Sequence, residues 1–313
     1  MHLSVREVLD LTERCFIAAG FDAGPARANA ETLWWQEAYR GTGFTTLFDL
    51  LDELETFDRS RLSLDRCDEI AVIDSGSQPG IVSVNPAVDL CCSLASQNGL
   101  GVVYAPLRDE DSTLSSLGHQ SFRAGERGYI SLTLYADQTS SGTVVGVPDD
   151  PYPHIVEAEL TSRSESYARL VDFVSSTHSG AGHSSLVRAL CKGSTGDRLP
   201  AEKHVIARLL EGAVTPVEPE HEVTGLVTIC VDPTHQRYAD GCRGVVESAV
   251  EGTDRGFTRR FHPEDIRDRV ETLLENGIEV EASVWRDVFD YSSGVLAPEF
   301  EGSYQGAGFD INE

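Results

Sequence analysis

The hydrophobic pattern of this chain changes near residue 67, from helical spacing to short strands that alternate with helices. Before that point, apolar residues such as Val8, Leu11 and Cys15 recur at the spacing of one helix face. After it, short apolar runs such as residues 70–74 are bounded by turn residues and followed by helical segments. The pattern predicts a mixed α/β (α+β) protein in which helices flank a central mixed sheet.

The first 66 residues are predicted to form an N-terminal helical unit that packs against residues 234–313. Ser4 and Glu7 have the spacing of a capping box, in which each side chain accepts a hydrogen bond from the backbone amide of the other residue. Gly20 and Gly41 are predicted to end the first two helices, because glycine readily adopts the left-handed conformation that closes a helix. The predicted helices cover residues 4–20, 25–41 and 45–54.

Residues 67–233 are predicted to form the central α/β region. The predicted strands are residues 70–74, 102–105, 129–135, 155–160 and 226–231. The predicted helices in this region and after it are residues 86–96, 112–127, 167–175, 202–212, 241–251 and 263–275.

The charge balance of the chain indicates where the protein works. Its formal net charge is −26, and only two of its 25 cationic side chains are lysines, Lys192 and Lys203. Such a surface repels itself unless abundant cations screen it, which favours the salt-loaded cytoplasm of a halophile over an acidic protein from ordinary salt. A nucleic-acid partner is not expected, because contacts to phosphate need a basic face.

The chain lacks the patterns of membrane and secreted proteins. No apolar run approaches the ~20 residues that a membrane helix needs, and residues 1–11 lack a signal-peptide pattern. We therefore expect a cytoplasmic protein without a membrane partner. The seven cysteines lack zinc-like spacing, so we expect reduced, mostly buried thiols and no metal site.

Five blocks of sequence carry a family resemblance: residues 18–41, 72–103, 118–128, 202–214 with 228–233, and 267–288. They include the motifs Ala124-Gly-Glu-Arg-Gly128 and Thr228-Ile-Cys-Val-Asp-Pro233. In this order they resemble the malate/L-lactate dehydrogenase family, which also contains L-sulfolactate and ureidoglycolate dehydrogenases and cyclic-imine reductases. The segment between residues 136 and 200 is shortened and does not align. The resemblance implies a non-Rossmann cofactor fold, an NAD or NADP cofactor and a homodimer.

The chain departs from that family at the substrate position. Where the family has R-G-H-x-S-H-G, this chain reads Arg40-Gly-Thr-Gly-Phe-Thr-Thr46, so Thr42 and Thr45 replace two histidines. Threonine cannot act as an acid near pH 7, whereas histidine can. Asp49 replaces an arginine and would repel a carboxylate substrate. Arg40, Thr42 and Thr45 are therefore predicted to mark the substrate region without the acid that the family uses.

The cofactor signature is also altered. The family motif N-S-x-H-x-G corresponds to residues 110–115 here, again without its histidine. The resemblance places Ser112 and Thr113 beside the cofactor, together with Lys203 at the lysine position of the motif H-K-G-x-G, although a lysine there is also commonly solvated. His119, beside Gly118, is the candidate for a relocated catalytic acid, and a buried structural histidine is the alternative interpretation.

Two further clusters could carry chemistry. The Gly-rich run His178-Ser-Gly-Ala-Gly-His183-Ser-Ser185 could hold an anion or a metal or pair a serine with a base, but it supplies only two metal ligands, and a surface loop is the simpler interpretation. Residues 109–111 could bind a hard cation, although a solvated cluster is expected in a chain with 51 acidic residues.

Three functional hypotheses remain open from the sequence. The first is a member of this fold without the usual dehydrogenase activity. The second is an active NAD(P)-dependent oxidoreductase on a 2-keto or 2-hydroxy acid or a cyclic imine, with relocated acid and base groups. The third is a non-catalytic interaction subunit with a protein partner bound through the tail, residues 302–313, which resembles an uncharacterised family with a Gly-Ala-Gly and Asp-x-Asn ending.

Overall fold

A computed structural model of the chain describes residues 1–67, 70–108, 111, 116–136, 140–148, 150–159, 225–234 and 259–295. Within these residues the protein has seven α-helices, a large mixed sheet and a two-stranded sheet. The α/β architecture predicted from the change in pattern is therefore confirmed. The predicted helices at 167–175, 202–212 and 241–251 lie outside the described residues.

Three helices form the N-terminal part of the chain: α1 (Val5–Ala18), α2 (Ala23–Arg40) and α3 (Gly43–Leu54). The predicted capping box starts α1, because the backbone amide of Glu7 donates to Ser4 Oγ at 3.3 Å and the amide of Ser4 donates to the Glu7 carboxylate at 2.7 Å. Gly41 ends α2 in the left-handed conformation with φ of 70°. Helix α3 begins two residues before the predicted start, since the Thr46 amide already bonds to the Thr42 carbonyl at 2.9 Å.

The large sheet has eight strands in the order β2-β3-β4-β8-β5-β6-β7-β9. The strands are β2 (Ser63–Cys67), β3 (Ile70–Asp74), β4 (Leu100–Pro106), β5 (Ile130–Ala136), β6 (Ser140–Val147), β7 (Asp150–Glu159), β8 (Gly225–Val231) and β9 (Arg259–Phe261). Only β3 and β4 pair in parallel, and the other neighbours are antiparallel. Every residue of β8 is buried, because this strand lies between β4 and β5.

Strands β2, β6 and β9 of the large sheet were not predicted from the sequence. The residues of β6 are mostly serine, glycine, threonine and valine, so the strand has little of the apolar alternation that marks a half-buried strand. Its place in the sheet comes from pairing on both sides, with β5 and with β7. This pairing supplies the backbone hydrogen bonds that the local sequence does not signal.

Two helices pack on the sheet, α4 (Ile81–Asn98) on β3, β4 and β8, and α5 (Gly118–Glu126) on β5, β6 and β7. Helix α4 begins five residues before the predicted start at Pro86, which lies inside the helix. Helix α4 packs so closely on β4 that a Cβ atom at Gly101 of β4 would lie 2.0 Å from the carbonyl oxygen of Cys91 in α4. Helix α2 contacts both α4 and α5, so these three helices meet above the sheet.

The two ends of the described chain pack together. Helices α6 (Pro263–Asn276) and α7 (Ala282–Ser292) follow β9, and α7 packs against α1 and α3. Strand β1 (His2–Leu3) pairs with β10 (Ile278–Glu279), and a core that includes Leu11, Phe16 and Leu47 fills the space between the helices. The division of the chain at residues 66 and 233 stays a prediction. No described helix is both long and apolar enough to cross a membrane.

Candidate functional site

Arg40 at the end of α2 is held inside the protein by an ion pair. Its guanidinium contacts the carboxylate of Glu157 on β7, and the two side chains are only 12% and 9% exposed. Tyr135 on β5 donates its hydroxyl proton to the same carboxylate at 2.8 Å. The guanidinium carbon of Arg40 also lies 5.2 Å from the ring centre of Tyr39 and 5.8 Å from that of Phe261. An anion that approached Arg40 would have to compete with Glu157 for the guanidinium.

The other residues of the predicted substrate region face different surroundings. Thr42 and Thr45 are exposed, and Thr42 Oγ1 accepts a hydrogen bond from the Gln36 amide at 3.2 Å. Phe44 is buried and stacks on Trp285 of α7, with 6.2 Å between ring centres. Thr45 thus lies on the exposed face of α3, whereas the side chain of Arg40 is buried.

His119 lies in the first turn of α5 and is only 2% exposed. Its Nδ1 lies 2.9 Å from Thr32 Oγ1 on α2, which is hydrogen-bond distance. Its Nε2 lies 3.7 Å from the Glu31 carboxylate, which is too long for a hydrogen bond. Burial, and to a smaller extent the positive charges of Arg123 and Arg127, lowers the pKa of His119 from 6.5 to about 3. The imidazole is therefore neutral at pH 7.

A buried polar network anchors His119 where α2, α4 and α5 meet. The side-chain amide of Asn85 on α4 donates to Asn29 at 2.8 Å and to Thr32 at 3.0 Å, both on α2. Arg123 on α5 donates to the side-chain oxygen of Asn85, Oδ1, at 3.0 Å. Buried polar groups of this kind rigidify a helix junction when their hydrogen bonds are satisfied. The network therefore holds one side of the imidazole ring in place.

A cavity of about 400 Å³ lies between α1, α2 and α5. Its wall contains three arginines, two glutamates, His119 and four apolar side chains. These residues are Leu9, Arg27, Glu31, Trp34, Trp35, His119, Phe122, Arg123, Glu126 and Arg127. We call it the α2–α5 cavity. Trp35 also packs in the core, with its ring centre 4.5 Å from that of Phe122.

The N-terminus of α4 follows β3 through a tight turn, as a phosphate-binding loop would. Gly76 and Ser77 in this turn both have φ of 65°, in the left-handed region. The amide of Gly80 donates at 2.8 Å to the carboxylate of Asp111, which is only 4% exposed. Helix N-termini attract anions, and here the side chain of Asp111 supplies one. A cofactor phosphate does not fit at this turn, because it would meet that carboxylate.

Solved structures of known enzymes share this architecture. Malate dehydrogenase from Entamoeba histolytica aligns with a TM-score of 0.56 and 14% identity over 96% of this chain and 99% of its own. Sulfolactate dehydrogenase from Methanocaldococcus jannaschii aligns with a TM-score of 0.54 and 14% identity over 93% and 96%. The chain has the malate/L-lactate dehydrogenase-like fold. A reductase of delta1-piperideine-2-carboxylate from Pseudomonas syringae shares it, with a TM-score of 0.51 and 13% identity over 93% of this chain and 99% of its own.

The resemblance that the sequence blocks carry is thus supported at the level of the malate/L-lactate dehydrogenase-like fold. No family model and no curated protein matches the sequence. At these identities the likeness shows the fold, and the chemistry has to be argued from the side chains.

Several residues of the predicted site lie outside the part of the chain that the structure describes. Ser112, Thr113, Lys203, the loop at 178–185 and the tail at 302–313 lie outside the described residues. So do Asp109 and Glu110, whereas their neighbour Asp111 binds Gly80. Among the residues that the structure describes, no three metal-binding side chains lie close enough together to hold an ion.

Two parts of the site were missed by reasoning from the sequence. Tyr135 lies on β5 and Glu157 on β7, the two strands that flank β6. No local sequence pattern connects either residue to Arg40. The α2–α5 cavity had a weak signal in the sequence, because Arg123 in the last turn of α5 and Arg127 directly after the helix are four residues apart. In a chain with only 25 lysine and arginine residues, two arginines at this spacing indicate a basic surface.

Proposed function

We propose that this protein uses the malate/L-lactate dehydrogenase-like fold without the usual reaction of that family, the reduction of 2-keto acids or cyclic imines by NAD(P)H. The observation that carries the proposal is the buried pair of Arg40 and Glu157. A substrate carboxylate at Arg40 would either crowd the buried carboxylate of Glu157 or separate the pair and leave Glu157 buried without its counter-charge. Breaking a buried pair in this way is strongly unfavourable.

The surroundings of His119 also support the proposal. Efficient proton donation needs a group whose pKa lies near the working pH. The pKa of His119 is lowered to about 3, so this side chain carries no extra proton to donate at pH 7. Thr42 and Thr45 cannot replace it, because a threonine hydroxyl does not ionise near neutrality. The described residues of the substrate region thus lack a suitable acid.

The proposal includes the setting expected from composition and resemblance. A net charge of −26 supports a cytoplasmic protein of a halophile, and the resemblance supports a homodimer. As a non-catalytic subunit, the protein would dock on a partner through residues 302–313. Purification from the native host in high salt tests this role. A co-purifying protein that is lost on truncation of the tail is expected, and a homodimer alone would count against it.

A second candidate is an active NAD(P)-dependent oxidoreductase with His119 in a catalytic role. The observation that favours it is the position of His119 on the wall of the α2–α5 cavity, together with arginines that could hold a substrate carboxylate. This enzyme would need surroundings that raise the pKa of His119 when substrate binds.

The two candidates differ in turnover. The oxidation of NADH and of NADPH is measured in molar salt with 2-keto acids and with cyclic imines, and nucleotide binding is titrated in the same buffer. We expect no turnover from the wild-type protein. Turnover that His119→Gln abolishes would establish the second candidate instead.

A further inference from the structure

The α2–α5 cavity is separate from the substrate region at Arg40. It borders α2 from Arg27 to Trp35, whereas Arg40 is the last residue of that helix. From its lining we propose that this cavity binds a small organic carboxylate with an apolar or aromatic body.

The charge of the cavity wall runs against that of the whole chain. Three arginines and two glutamates line it, whereas the chain has 25 cationic and 51 acidic side chains. All three arginines already have acidic partners, since Arg27 pairs with Glu31 and Glu13 and the other two pair with Asp89. In a protein that repels anions over most of its surface, this wall offers an anion local cationic partners.

The arginines are fixed in position and still have donors to offer. Arg27 uses Nε to bind Glu31 at 2.8 Å and Nη1 to bind Glu13 at 3.1 Å. Arg123 uses its two terminal nitrogens to bind Asn85 and Asp89, each at 3.0 Å. A guanidinium group has five N–H donors, so each arginine can still donate to a ligand carboxylate. The existing partners orient the groups before a ligand arrives, which lowers the entropy lost on binding.

His119 supplies an independent sign of a ligand. Its side chain is 97% buried and lines the cavity, yet Nε2 has no hydrogen-bond partner among the described residues. The Thr32 hydroxyl lies 2.9 Å from both Nδ1 and the Ala28 carbonyl oxygen, so this contact is compatible with both tautomers, and Nε2 can donate to a ligand carboxylate or accept from a ligand hydroxyl. A carboxylate or hydroxyl group in the cavity would supply the hydrogen-bond partner that Nε2 lacks.

The remaining wall explains why an organic ligand fits better than an inorganic ion. Leu9, Trp34, Trp35 and Phe122 form an apolar surface beside the cations. A cavity of about 400 Å³ has the size and mixed lining of small-molecule sites. An apolar or aromatic body would cover the tryptophans while the carboxylate meets the arginines, whereas sulfate or chloride would leave the apolar wall wet.

Tryptophan fluorescence tests the proposal directly, because two of the three tryptophans of the chain line the cavity. The Trp285→Phe protein serves as background, so that the signal comes from Trp34 and Trp35. Benzoate is the probe, benzamide is its uncharged match, and sulfate is the inorganic control. We expect a saturable change with benzoate and a much weaker response to the other two.

Two arginine variants locate the binding site. Arg27→Gln is expected to weaken benzoate binding by at least about tenfold, because a hydrogen bond to a charged group is lost. Arg6→Gln changes the net charge equally on an arginine outside the cavity, with a side chain 90% exposed, and should leave the affinity unchanged. The absence of saturable benzoate binding, equal binding of benzamide, or equal effects of the two variants would overturn the proposal. Benzoate accepts no hydride, so its binding is measured independently of the proposed lack of turnover.

Discussion

The guanidinium of Arg40 and the carboxylate of Glu157 form a buried ion pair that joins the end of α2 to strand β7. Tyr135 adds a hydrogen bond to the same carboxylate at 2.8 Å, so the pair closes the region where the sequence motif predicts the substrate. Stability and the proposed lack of the family's reaction therefore depend on the same contact.

Removing one partner of this pair should destabilise the fold. Glu157→Leu leaves Arg40 charged and buried, which is expected to cost about 3–5 kcal/mol of unfolding free energy. The double variant Arg40→Met with Glu157→Leu removes both charges and should recover most of that loss. Urea denaturation in high salt measures the unfolding free energies of the single and the double variant. A double variant as unstable as the single one would show that the pair does not act as a unit.

The buried His119 should make the fold sensitive to acid. The pKa of His119 is 6.5 in an unfolded chain and about 3 in the fold, so the unfolded state binds the proton first as the pH falls. The stability associated with the neutral ring is therefore complete above pH 6.5 and is lost towards pH 3, by up to about 1.4 kcal/mol per pH unit. His119→Gln should flatten this part of the curve of unfolding free energy against pH. Parallel curves for both proteins would contradict the assignment.

Two glycine-to-alanine changes should have opposite effects. A Cβ atom at Gly43 would lie 1.9 Å from the Leu33 carbonyl oxygen, because α3 begins directly against α2. Gly43→Ala should therefore lower the unfolding free energy by about 1–3 kcal/mol. Gly24 in α2 has no atom within 4 Å of such a Cβ, so Gly24→Ala should raise it by up to about 0.5–1 kcal/mol. Equal effects in thermal unfolding would mean that α2 and α3 are not packed so closely.

The buried thiols should resist alkylation in the folded protein. Burial raises the pKa of Cys15 to about 12. The sulfurs of Cys92 and Cys230 lie 3.8 Å apart; the pKa of Cys92 is raised by its hydrogen bond with Cys230 and by burial, and that of Cys230 is raised by its hydrogen bond with Cys91 and by burial. Since the thiolate is the reactive form, iodoacetamide should label these three residues slowly at pH 8 and rapidly in denaturant. Mass spectrometry of digested protein reports each site. Rapid labelling of the native protein at Cys92 would show that α4 leaves the sheet readily.

Local chemistry predicts the ends of several helices in this chain. The pairing of Ser4 with Glu7 and the left-handed glycines at positions 20 and 41 depend only on nearby residues, and each forms as expected. Pro86 misled the prediction of α4, because proline favours the first turn of a helix. The helix instead extends back to Ile81, where the buried side chains of Ile81, Val82 and Val84 stabilise the extra turn despite the missing amide donor.

The candidate site was less predictable because its contacts depend on the pairing of distant strands. Glu157 reaches Arg40 only through the register of β7 with β6 and β9, where it pairs with Gly142 and Arg259. Likewise, the charge of Asp111 was visible in the sequence, but its contact with the N-terminus of α4 was not. Residue type was therefore informative about possible chemistry, whereas the tertiary structure decided which groups were already paired.

The most direct test of the proposed function is an assay of NADH and NADPH oxidation in molar salt, with 2-keto acids and cyclic imines as acceptors. An active malate dehydrogenase that tolerates the same salt serves as the positive control. The buried pair of Arg40 and Glu157 predicts that the wild-type protein oxidises neither nucleotide above the rate without protein. Saturable turnover of any of these acceptors, lost in His119→Gln, would contradict the proposal.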